Sequence, residues 1–163
     1  MSTQKKPIII DVEASGFGGT SYPIEIGVAL DDDTKYCALI VPASGWNHWD
    51  ESAESVHRIA RDILEAYGKP AREVAEELNQ RFEGKTLYSD GWVVDKPWLT
   101  MLFHAAGLDM KFSVSALEMI LSEDQMERWH AEKDRVLAEV NKSRHRASLD
   151  AWVIQETYQR TLR

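Results

Sequence analysis

The chain has 163 residues, 44% hydrophobic and 28% charged, with one cysteine and a formal net charge of −8. That length suits one domain with a proper buried core, expected over residues 1–163. No run nears the roughly 20 apolar residues of a membrane span, and the opening Met-Ser-Thr-Gln-Lys-Lys-Pro lacks a signal peptide's apolar stretch. A lone Cys37 excludes an internal disulfide framework; the expected setting is a reducing cytoplasm, with no membrane partner and Cys37 a buried strand residue. The acidic balance excludes a basic stripe wrapping a long duplex. It does not exclude an enzyme that grips a strand end once bound cations neutralise its carboxylates.

In chain order, Pro7 to Val12 is a continuous apolar run, the pattern of a buried strand. Glycines and serines from Ser15 to Ser21 mark a turn. Further strands are expected over Pro23 to Leu30 and Tyr36 to Val41, joined by the tip Asp31-Asp32-Asp33; such short connections make an antiparallel meander. Helical spacing follows over Ser55 to Tyr67 and Ala71 to Phe82. Thr86 to Ser89 reads as a short strand, Lys96 to Ala106 as a helix with Pro97 in its first turn and Gly107 at its end. A brief strand near Phe112 to Val114 precedes a long charged helix from Ser122 to about Val140. Lys142 to Arg146 is a basic loop, and Ala147 to Leu162 a closing helix. The sum is an α/β fold: three antiparallel strands, then parallel strands, flanked by helices. The absence of a Gly-rich phosphate loop after the first strand excludes a dinucleotide or Walker-type site.

Three segments carry chemistry. Asp11 and Glu13 close the first strand two residues apart, so their carboxylates share a face. Like charges held together need a cation, a proton or a basic side chain, and hard divalent cations take such oxygen ligands. In the second segment, Asp95 precedes a helix, where it could equally be an N-cap; Asp90 is a rival ligand or a turn residue. In the third, His145 is followed by Asp150 in the first turn of the closing helix. There the aspartate is favoured by the helix dipole, and the histidine is placed to take a proton near neutral pH.

Together these segments resemble the DEDDh exonucleases of the ribonuclease H-like superfamily. The resemblance runs over Asp11-Val12-Glu13-Ala14-Ser15-Gly16, the strand Ile24-Glu25-Ile26-Gly27-Val28, and an H-x-I element at His57-Arg58-Ile59. It continues through a middle aspartate that Asp95 matches better than Asp90, and through H-x-A-x-x-D-A from His145 to Ala151. It departs at Val94, where the family carries an aromatic residue, and in the missing upstream asparagine. It implies a ribonuclease H-like sheet and 3′→5′ hydrolysis of terminal phosphodiesters to nucleoside 5′-monophosphates. Two divalent cations, Mg²⁺ or Mn²⁺, would be held by Asp11, Glu13, Asp95 and Asp150, with His145 as general base.

The implied partner is a single-stranded nucleic acid 3′ end. RNA or short oligonucleotides are expected ahead of long DNA, because of the acidic surface and the lack of an accessory domain. Candidate substrate contacts are Phe17 for base stacking, Trp49 and His57 near the entrance, and Arg144 and Arg146 for phosphates; packing and solvated-loop roles compete at each. The alternative is a catalytically silent nucleic-acid-binding or polymerase-associated proofreading-type subunit. Monomer and homodimer both stay open.

Overall fold

The computed structural model describes residues 5–140 and 146–163. Strands β1 (Ile9–Ala14), β2 (Pro23–Ala29) and β3 (Lys35–Leu39) form the expected antiparallel meander, and β4 (Thr86–Ser89) and β5 (Ser113–Ala116) add in parallel. The sheet order is β3-β2-β1-β4-β5. The helices are α1 (Glu51–His57), α2 (Arg61–Tyr67), α3 (Ala71–Phe82), α4 (Trp92–Ala106), α5 (Glu123–Glu139) and α6 (Ala147–Thr161), with a 3₁₀ turn at Leu117–Ile120. No helix among the described residues is long and apolar enough to cross a membrane.

Side-chain alternation on β1 and β2 assigns the two faces of the sheet. Ile10, Val12, Ile26 and Val28 pack with Val74, Leu78, Phe82, Leu99 and Leu102, which belong to α3 and α4. Ile9 and Ala29, on the opposite face, pack with Trp129 of α5 and Ala151 and Ile154 of α6. Asp11 and Glu13 share parity with Ile9, so they stand on the face that α6 covers. In the antiparallel register Asp11 lies opposite Gly27 and Glu13 opposite Glu25. The residues opposite them therefore share that face too.

Gly27 allows α6 to land there. A Cβ at Gly27 would lie 2.1 Å from the Ser148 nitrogen and 2.2 Å from the Ala147 carbonyl carbon, so the helix's first turn rests on bare backbone. Further along, the buried Gln155 side chain donates to the carbonyls of Pro7 (3.0 Å) and Leu30 (2.8 Å), stitching α6 to the sheet. The charged stretch before it is accounted for by packing. A capping box starts α5, with the Gln125 N–H donating to Ser122 Oγ and the Ser122 N–H to Gln125 Oε1. Gln125, Trp129 and Val136 are its buried residues.

Three expectations need correction. The single helix over Ser55 to Tyr67 is two short helices, because Arg58 takes the left-handed conformation (φ 56°) and ends α1. The helix expected from Lys96 starts at Trp92 with Gly91 as its cap, so Asp95 lies inside the first turn and is not the N-cap. Cys37 is exposed on the edge strand β3 and is not buried. The loop from Lys142, with Arg144 and His145, lies outside the described residues.

Candidate active site

Asp11 and Glu13 reach the cleft from the end of β1, where a register shift against β2 follows Glu13. Asp150 meets them from the first turn of α6, its N–H donating to the Arg146 carbonyl (2.9 Å). Each of the three offers one carboxylate oxygen, and these atoms all lie within 4.8 Å of one another. Three half-buried hard oxygen donors so close together fit Mg²⁺ or Mn²⁺, which prefer such ligands.

Asp95 stands directly behind. Its carboxylate accepts from Ser89 Oγ at 2.7 Å and from the backbone N–H of Val12, between Asp11 and Glu13. At 3% exposure its charge is poorly solvated; burial pushes its pKa up to about 7, against the stabilising Ser89 bond and with a further push from the nearby Asp90. Asp90 is on the other flank, its carboxylate 3.8 Å from Lys133 Nζ. The three-carboxylate cluster includes neither of them.

Two cavities open on the cluster. One, of about 270 Å³, is lined by Asp11, Glu13 and Asp95 together with Phe17, Val56, His57 and Trp98. The other, of about 220 Å³, is lined by Asp11, Asp150, Asp90 and Lys133 with the apolar Leu137 and Ile154. Asp11 and Asp150 line both. Phe17 is 68% exposed, an aromatic face left to solvent at the edge of the first cavity.

The remaining sequence candidates are placed as follows. His57 is buried; its Nδ1 accepts from the Ile59 N–H (3.0 Å), which fixes the neutral tautomer with the proton on Nε2, and burial lowers its pKa. Trp49 packs edge-on against the His57 ring, with the Arg61 guanidinium over its own face. The Arg146 guanidinium is engaged by the fully buried Glu25, Nε donating to Oε2 at 2.8 Å. His145 and Arg144 lie outside the described residues.

Sequence reasoning gave no role to Ser89, Glu25 or Lys133. Glu25 carried a signal, a lone charge in an otherwise apolar strand. Lys133 carried none, since only the packing of α5 brings it to the cleft.

No family model matches the chain, and no curated protein matches it. Solved structures do. The zinc-bound form of E. coli exonuclease I with single-stranded DNA aligns with a TM-score of 0.71 at 14% identity, over 98% of this chain and 40% of that one. The same enzyme in complex with a dT13 oligonucleotide gives 0.69 at 14%, over 98% and 41%. The metal-free form of the complex gives 0.65 at 14%, over 94% and 38%. The chain thus spans about two fifths of the length of these proteins. At such identity the likeness establishes the fold: the ribonuclease H-like mixed sheet expected from the sequence.

Proposed function

We propose that this chain is a metal-dependent 3′→5′ exonuclease acting on single-stranded nucleic acid. The observation that carries the reading is the convergence of Asp11, Glu13 and Asp150, from a strand end and a helix start, beside a cavity edged by the exposed Phe17. A binding module has no need of clustered carboxylates, which speaks against the catalytically silent alternative. Neighbours of the same fold include exonuclease I structures with single-stranded DNA, which supports the same direction.

On this reading Asp11, Glu13 and Asp150 hold two divalent cations, with Asp95 as the fourth carboxylate behind them. Such a pair, when bound, stabilises both the attacking and the leaving oxygen of an in-line displacement. The apolar cavity takes the terminal nucleotide, with Phe17 stacking on its base. His145, two residues before α6, is assigned as the base that takes the proton of the attacking water; the product is a nucleoside 5′-monophosphate. The acidic balance of the chain favours short strands. RNA is the expectation from the sequence, and the deoxyoligonucleotides bound by the fold's neighbours make DNA its direct competitor.

The test is a gel assay of 5′-labelled RNA and DNA strands with Mg²⁺, Mn²⁺ or EDTA. A ladder shortening from the 3′ end and abolished by EDTA is the expected result, and the faster substrate names the sugar. Strands left intact with every metal would refute the proposal. Turnover of simple phosphodiesters without stepwise shortening would make the protein a small-molecule phosphodiesterase. Capture of a polymerase by the intact chain would favour the proofreading-subunit reading.

A further inference from the structure

The two cavities at the carboxylate cluster are the middle of a longer groove. Beyond the apolar one, Phe17, Val94 and Trp98 also line a further cavity with Gly18 and Met101. Beyond the other, Asp90 and Lys133 also line a cavity with Met126, His130 and Leu121. Shared lining residues therefore join four depressions in succession, the middle two meeting at Asp11 and Asp150. The two arms differ in chemistry. The Phe17 arm is apolar and aromatic, suited to bases. The α5 arm is lined by Asp90, Glu118, His130 and Lys133, and of these the Lys133 ammonium is the group suited to a phosphate.

The face of α5 turned to the groove is set by helical spacing. Met126, His130, Lys133 and Leu137 fall at i, i+4, i+7 and i+11, one stripe along the helix, while Trp129 and Val136 are buried. Lys133 is half-buried and lines both the cavity at Asp11 and Asp150 and the one beyond it. Its contact with Asp90, at 3.8 Å, is beyond hydrogen-bond length, so Asp90 does not occupy its donors. An ammonium has three donors to give a phosphate oxygen.

We propose that the α5 arm is the binding site for the strand 5′ to the scissile bond, with the Lys133 ammonium holding the backbone phosphate next to the one being hydrolysed. This rests on the exonuclease reading and adds its substrate path: bases of the terminal nucleotide toward Phe17, the retained strand leaving over α5. It also gives the helical stretch between β5 and α6 a role in substrate length, since a dinucleotide with a free 5′-hydroxyl has no second phosphate to offer Lys133 and a longer strand does.

The test compares a dinucleotide bearing a free 5′-hydroxyl with a dodecanucleotide ending in the same two nucleotides, the released nucleoside 5′-monophosphate being measured, for wild type, Lys133→Ala and Lys133→Arg, at rising KCl. Lys133→Ala is expected to raise KM on the longer strand about tenfold with kcat nearly unchanged, the effect of losing one charged hydrogen bond. The slope of log KM against log salt should fall by about 0.7, one single-strand phosphate contact. Lys133→Arg should restore both. An unchanged KM and salt slope in Lys133→Ala would overturn the site while leaving the exonuclease reading standing. So would recovery of wild-type KM in the double variant Asp90→Asn/Lys133→Ala, which would reduce Lys133 to a neutraliser of Asp90. If wild type shortens neither strand, the exonuclease reading falls and the site falls with it.

Discussion

The Ala147 backbone N–H donates to Glu25 Oε1 at 2.7 Å, so a carboxylate buried in the second strand fixes the first residue of the helix that carries Asp150. Arg146 holds the other oxygen, and Gly27, two residues along on the same face, leaves room for the turn to land. Glu25 and Gly27 thus set where Asp150 meets Asp11. Gly27→Ala must push Ala147 and Ser148 away, and the expected result is loss of the Mg²⁺-induced rise in Tm by more than the fall in metal-free Tm. Arg146→Ala leaves Glu25 buried and short of its cation. That costs somewhat less than the about 3–5 kcal/mol of a fully buried pair, because Arg146 keeps some solvent contact. Denaturant melts measure it; a change under about 0.5 kcal/mol would show that the pair does not hold the helix.

Asp95 makes stability depend on pH in a definite direction. Its folded pKa is raised to about 7 from an ordinary 3.8, so between these values the native state binds the extra proton. The contribution is fully present below about pH 4 and is lost as pH rises through about 7. In EDTA, the Tm of wild type should therefore fall relative to Asp95→Asn between about pH 5 and pH 8. A loss of even 1 kcal/mol would move Tm by about 2–4 °C in a chain of this size. Parallel curves for the two proteins would contradict a buried carboxyl at this site.

Phe17 is exposed and belongs to none of the core clusters, so its removal separates binding from folding. Phe17→Ala should leave Tm in place. If the ring stacks on the terminal base, a contact of about 1–3 kcal/mol, KM should rise about tenfold. Steady-state kinetics on a short strand decide it, and an unchanged KM would remove Phe17 from the substrate site.

How much of this was legible follows from the range of each interaction. Asp11 and Glu13 declare a shared face through the period of two, and Asp150 a helix start through local spacing; both are short-range signals. The meander and the sheet class follow in the same way from run length and turn residues. The break at Arg58 was hidden because a non-glycine residue in the left-handed region leaves no mark in composition. The early start of α4 was hidden because Pro97 reads as a first-turn signal. Glu25 showed only as a lone charge in an apolar strand and Lys133 not at all, since the contacts of Glu25 with Ala147 and of Lys133 with Asp90 arise only when distant segments pack. Trp49 packs edge-on against His57, which itself lines the first cavity.

The fourth carboxylate is decided by comparing Asp90→Asn with Asp95→Asn, using Asp11→Asn as the reference for a lost ligand. Asp95 is hydrogen-bonded by Ser89 and by the Val12 N–H between the two β1 carboxylates, and it lines their cavity. Asp90 is exposed on the other flank, facing Lys133. Asp95→Asn should therefore lower kcat at least about a hundredfold, which is about 2.7 kcal/mol of transition-state stabilisation, and shift metal dependence to higher Mg²⁺. Asp11→Asn should do the same and also shrink the Mg²⁺-induced rise in Tm, since a cation bound only by the native state stabilises in proportion to its affinity. Asp90→Asn should keep most of kcat, its change appearing in KM for the longer strand. The reverse order, with Asp90→Asn inactive and Asp95→Asn active, would move the fourth ligand to the α5 side of the cleft and leave Asp95 as a buried carboxyl that holds β1 to the start of α4.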